Sequence, residues 1–164
     1  MQITTQLPGS RIIFYLILII IISLGLKLYT VDFSIPPHTD DIGYILNSMQ
    51  YNEGDFFLSQ KKHPGWSLVL APFMAIVNSD DFLDYGSAAR ILSITISIIT
   101  IIPMYILARR FFDEKYSLVA SCLFAFEPHL NINSVFGLSE PIFILAIILS
   151  TIFILQKNHS WYFY

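Results

Sequence analysis

From Ile12 to Val31 the chain is almost unbroken apolar sequence, twenty residues that as a helix would measure about 30 Å, the thickness of a bilayer's hydrocarbon core. Arg11 precedes the run and no small-x-small cleavage pattern follows it, so it reads as an uncleaved signal anchor with its N-terminus in the cytosol. The rest of the chain has the same texture. Of 164 residues, 55% are hydrophobic and only 13% charged, a balance that argues against an ordinary water-soluble enzyme. The expected fold is all-α: a polytopic integral membrane bundle, one domain over residues 1–164, with no internal repeat or low-complexity linker.

Two further apolar blocks are long enough to span: Ala88 to Ala108, which holds only Arg90 as a charge, and Leu138 to Leu155, which holds only Glu140. Ser117 to Phe136 is apolar in its first half and carries Glu127, His129, Asn131 and Asn133 in its second, so as a helix it should end in a wet environment. Trp66 to Val77 is only twelve residues, a length typical of an interfacial or re-entrant helix. The distribution of charge selects among topologies. With four crossings, Arg11, Arg109, Arg110, Lys115 and Lys157 lie in the cytosol, five of the nine basic residues. If Trp66 to Val77 also crossed, only Arg11 and Arg90 would remain there. The positive-inside bias favours four, in a plasma membrane with a cytosolic N-terminus.

This topology places Asp32 to Ala89 outside, with interfacial helices and eight of the twelve carboxylates, and makes that loop the expected seat of any chemistry. A net charge of -3 without a Lys/Arg cluster gives no footprint for nucleic acid. Cys122 can form no intrachain disulfide and no thiolate metal site. No nucleophile elbow or phosphate-cradling glycine loop is present. Asn158-His-Ser160 fits a glycosylation acceptor, but on the cytosolic side.

The candidate residues all fall on the outer face. Asp40 and Asp41 follow Pro36-Pro37 and would start a helix; they either cap it or supply a general base whose pKa partial desolvation raises. His63-Pro-Gly-Trp66, preceded by Lys61-Lys62, is either a turn with an interfacial anchor or a place where Lys62 and His63 meet an anionic group. Arg90 opens its helix on the outer side, against the charge bias; it either snorkels to headgroups or serves a site. Glu140, before Pro141, either meets the positive helix end or joins the same site.

In their order these features resemble the N-terminal part of the C-type (GT-C) glycosyltransferases, nearest to the protein mannosyltransferase and aminoarabinose lipid A transferase group. Asp40-Asp-Ile-Gly-Tyr44 stands for that group's acidic first-loop segment, and His63-Pro-Gly-Trp66 for its His/Lys-Pro-Pro-Leu motif, with only His-Pro kept. Arg90, the basic turn Leu107-Ala-Arg-Arg-Phe-Phe112, Pro128 and Leu138-Ser-Glu-Pro141 follow in register, so the similarity runs from Arg11 to Leu155. Members are much longer, with roughly eleven to thirteen spanning helices, and the chain is expected to be the N-terminal portion of such an enzyme. The resemblance implies transfer of a sugar from a polyprenyl-phosphate carrier to a hydroxyl of a protein, lipid or glycan outside the cytosol. Asp40 would be the catalytic base. Lys62, His63 and Arg90 would bind the donor phosphate, and Asp41 and Glu140 would complete the substrate site, with a divalent cation between Glu140 and Asp40 as an option. The alternative is a noncatalytic small membrane subunit whose acidic outer loop binds a partner or cations.

Overall fold

The computed structural model describes residues 9–56, 63–77 and 79–155, and what it describes is helical throughout, with no strand among these residues. The first apolar run forms α1 (Gly9–Thr30). It gives way to a short loop in which Asp32 Oδ1 accepts from the Ser34 amide at 2.9 Å and the Ser34 hydroxyl at 2.6 Å, a local turn that ends the helical path before Pro36-Pro37. Then follow α2 (Thr39–Asn52), whose C-cap Glu53 is followed by Gly54 at φ +85°, and α3 (Pro64–Val77), whose first residue is a proline, where a missing N–H costs nothing.

The longest element is α4 (Phe82–Ala108), capped by the Asp81 carboxylate, which accepts from the Leu83 amide at 2.9 Å. It starts six residues before the apolar block foreseen at Ala88, because Asp81 and the first-turn Asp84 suit the positive helix end. Ser117 to Phe136 is not one helix. It divides into α5 (Glu114–Ala125) and α6 (Pro128–Val135), since Pro128 cannot donate and Glu127 Oε2 accepts from the Leu130 amide at 2.6 Å, starting a new helix. A turn through Gly137 leads to α7 (Glu140–Ile154).

Helix α4 is the axis: its most extensive partners are α7 and α5, while α2 and α3 form a tight pair laid against it. The main core joins Ile45 of α2, Trp66, Leu70 and Met74 of α3, and Ala89 and Ile96 of α4. Burial stops there. Along α1 the large side chains Ile13, Phe14, Ile17, Ile21 and Ile22 are exposed, as are Phe143, Ile147 and Ile154 on α7. Among the described residues α1 (from Ser10) and α4 are long and apolar enough to cross a membrane; α3 and α7 are apolar but shorter. At 15 residues α7 measures about 22 Å, less than a hydrocarbon core.

Candidate functional site

The site begins with α4, which carries Arg90 into the interior one turn below Gly86. Only 1% of Arg90 is exposed, and its guanidinium gathers the backbone of the α1–α2 loop: Nη1 donates to Asp32 O at 2.7 Å, and Nη2 to Ile35 O at 2.9 Å and Pro36 O at 3.0 Å. A planar fork of donors is what lets one side chain hold three carbonyls at once. Pro37 then seats directly on Gly86, where a Cβ would collide with its ring. Arg90, expected to face a substrate phosphate, is therefore turned toward the loop that leads into α2.

That loop fixes how α2 begins. His38 is the N-cap residue, its Nδ1 accepting from the Asp40 amide at 3.4 Å, so neither aspartate is the cap. Both lie in the first turn, where the helix dipole favours negative charge, and they part ways there. Asp40 is exposed. Asp41 is fully buried, and neither of its carboxylate oxygens has a hydrogen-bond partner among the described residues. Burial pushes the Asp41 carboxyl up to about 7, with the positive charge of Arg90 pulling in the opposite direction. The raised carboxyl foreseen for this pair is thus found at Asp41, which is enclosed rather than open to a substrate. Asp32, exposed, is held below its usual range by the Ser34 hydroxyl and amide.

What encloses Asp41 is the α6–α7 turn. Gly137 has φ +81°, and a Cβ there would stand 3.0 Å from Asp41 Oδ2 and 3.3 Å from the Arg90 amide nitrogen. The turn is pinned by Trp66 Nε1, which donates to Gly137 O at 3.2 Å, and by Ser93 Oγ, which donates to Leu138 O at 3.1 Å. Gly137 was not singled out from the sequence. Its one signal is a glycine between a short helix and a Ser-Glu-Pro helix start, and that signal names a turn rather than what the turn covers.

The remaining candidates fall in two places. His63 is exposed at the start of α3 and lines an open cleft of about 410 Å³ with Tyr44, Trp66, Ser139, Ile142 and Phe143. Glu140 lines a different, much smaller cavity against α4, where its Oε2 is buried without a hydrogen-bond partner. Lys61, Lys62, Lys157 and the Asn158-His-Ser160 sequence lie outside the described residues. Among the described residues no three His, Cys, Asp or Glu side chains converge as a metal-ligand group.

One buried cation was missed in the sequence. Lys27, inside the first apolar run, is 2% exposed and donates from Nζ to Ser134 Oγ at 2.8 Å, while Ser23, one turn earlier, donates to Ala125 O at 3.2 Å. The spacing of four puts both on one face of α1, Ser23 meeting a carbonyl at the C-terminal end of α5, which lacks a helical donor, and Lys27 meeting the last turn of α6. No protein-family model matches the chain, and neither the curated proteins nor the solved structures contain a match.

Proposed function

We propose that this chain is a multi-pass membrane protein of the plasma membrane, N-terminus in the cytosol, and that it carries the acceptor-activating part of a glycosyltransferase using polyprenyl-phosphate sugars. Support for the membrane setting comes from the apolar side chains left exposed along α1 and α7, which a lipid environment would cover. In the four-crossing form of this reading, α5 with α6 and the short α7 cross as well, the α5–α6 break being satisfied by protein groups such as Ser23 and Asn131.

The observation that carries the transferase reading is an exposed aspartate one helical turn before a residue that lines an open cleft. Asp40 is exposed at the positive end of α2, and Tyr44, one turn on, lines the 410 Å³ cleft with His63 and the apolar face of α7. In the proposed reaction Asp40 accepts the proton of an acceptor hydroxyl as its oxygen bonds to the anomeric carbon. The bond from that carbon to the carrier phosphate breaks, and the phosphate leaves with the electron pair. His63, on the wall of that cleft, is the group that meets the charge growing on it. Arg90 acts indirectly, by setting the loop from which α2 starts.

The test is transfer of a radiolabelled sugar from its polyprenyl phosphate in membranes containing the full-length chain. Asp40→Asn is expected to cut transfer by about 100- to 10,000-fold, the usual worth of a general base, with membrane insertion unchanged. Undiminished transfer would remove Asp40 as the base. One observation favours the noncatalytic-subunit reading: Arg90 is committed to three backbone carbonyls, as befits a structural cation. Absence of transfer in the full-length protein, with the chain co-purifying with another membrane protein, would select that reading.

A further inference from the structure

Helices α1 and α5 run side by side in the same direction. Ser23 meets Ala125 toward one end, and nearer the other Tyr15, Leu18 and Ile19 line a groove with Leu118, Val119 and Cys122. Spacings of three and four residues make each set one stripe of its helix. The groove is open, about 310 Å³, and Lys115 stands on its wall. One turn beyond Ile19 the Ser23 hydroxyl donates to Ala125 O at 3.2 Å. The groove therefore runs about 10 Å, two helical turns, before the helices close on each other.

Each stripe begins with a cation. Lys115 stands one turn before Leu118 and Val119, and Arg11 one turn before Tyr15; both are exposed. The turn from α4 into α5 adds Arg109 and Arg110 at the same end, so that four positive charges stand there against Asp113 and Glu114 among the described residues. Glu114 lies 3.9 Å from Arg109, and Lys115 has no ion pair among those residues. Beyond the cations the walls are apolar, and Tyr15, Leu18 and Val119 are left 42%, 42% and 54% exposed. A basic mouth over an apolar groove matches a molecule with an anionic head and a hydrocarbon chain. An inorganic anion would leave the apolar walls bare, and a spanning helix would need a groove that continued past Ser23.

We propose that the groove between α1 and α5 binds an anionic phospholipid of the cytoplasmic leaflet, with its phosphate between Arg11 and Lys115 and one acyl chain along the groove toward Cys122. This site presupposes the membrane setting proposed above and is independent of sugar transfer. In the proposed topology the basic end faces the cytosol, the side whose leaflet carries anionic lipids and where basic pockets between spanning helices take their headgroups. The long stems of Arg11 and Lys115 lie along apolar surface while their charged ends reach the phosphate level.

The test is native mass spectrometry of the purified full-length protein in neutral detergent, titrated with phosphatidylglycerol or with phosphatidylcholine of the same acyl chains. Phosphatidylglycerol should be held about thirtyfold more tightly, since each cation near a headgroup is worth about fivefold. Lys115→Gln should weaken its binding about fivefold. Val119→Trp keeps both cations and fills the groove, so it should abolish the preference; at an exposed position it should still fold. Equal retention of the two lipids, or a preference that survives Val119→Trp, would mean that Arg11 and Lys115 only snorkel toward any headgroup, and would overturn the proposal. So would a lipid-free pair of chains that Val119→Trp disperses, which would give the groove to a second copy. Alkaline carbonate extraction keeps the two ideas apart. Protein released from the membrane overturns the membrane setting and this site with it, whereas protein that stays but shows no lipid preference overturns the site alone.

Discussion

Gly137 rests directly on the carboxylate of Asp41: a Cβ on the glycine would stand 3.0 Å from Oδ2, and its φ of +81° is one that side-chain-bearing residues seldom adopt. Three elements meet through this contact, since the same glycine touches the backbone of α4 and its carbonyl accepts from Trp66 of α3. Gly137→Ala should therefore destabilise the protein by about 1–3 kcal/mol, the cost of a strained backbone position. Thermal unfolding in detergent measures it, and a Tm equal to that of the unaltered protein would mean that the turn has room to shift.

Asp41 gives a pH dependence with a definite sign. Its carboxyl rises from an ordinary 3.8 to about 7 on folding because burial disfavours the charged form. The stability it contributes is thus fully present below about 3.8, declines as pH rises toward 7, and changes no further above that. Asp32 works in the opposite sense and in a lower window, because its carboxyl is depressed. Unfolding followed from pH 4 to 8 should show a decline that Asp41→Asn flattens. A decline of the same steepness in the variant would assign it to another group.

Arg90 holds the α1–α2 loop by three hydrogen bonds to carbonyls, and lysine cannot reproduce that fork. Arg90→Lys should cost about 1–3 kcal/mol through carbonyls left without donors. It should also speed amide hydrogen exchange at Ser34 and Asp40 while leaving α5 and α7 protected. Unchanged exchange at the loop would mean that Pro37 packed on Gly86 holds it unaided.

The four-crossing topology can be tested at position 113. Asp113 is exposed at the start of α5 and its side chain makes no cap hydrogen bond, so it tolerates replacement. In a Cys122→Ala background, Asp113→Cys should react with an impermeant thiol reagent only after the membrane is opened. Labelling of intact cells from outside would show that Trp66 to Val77 crosses.

Much of the helix inventory is legible from residue type alone. Apolar blocks of spanning length reveal α1 and α4, and Pro64, Pro128 and Pro141 mark helix starts because a first turn needs no N–H donor, although Pro72 and Pro103 lie inside α3 and α4. The break between α5 and α6 was also within reach, since Glu127-Pro128 is a stop followed by a cap. The apolar pattern before it still reads as one continuous helix, because hydropathy does not register a helix cap.

The sequence alone specified a helical, lipid-suited chain with its carboxylates gathered between the first and second long apolar helices, because composition and periodicity act locally. It could not say which of Asp40 and Asp41 is enclosed. Adjacent helical residues point about 100° apart, so the rotation of α2 decides, and that rotation is fixed by contacts with distant residues: Arg90 through the loop, and Gly137 laid over the carboxylate. The turning of Glu140 inward to Ser97 and Thr100 has the same origin. Its direction follows from how α7 docks on α4, an arrangement that no window of neighbouring residues encodes.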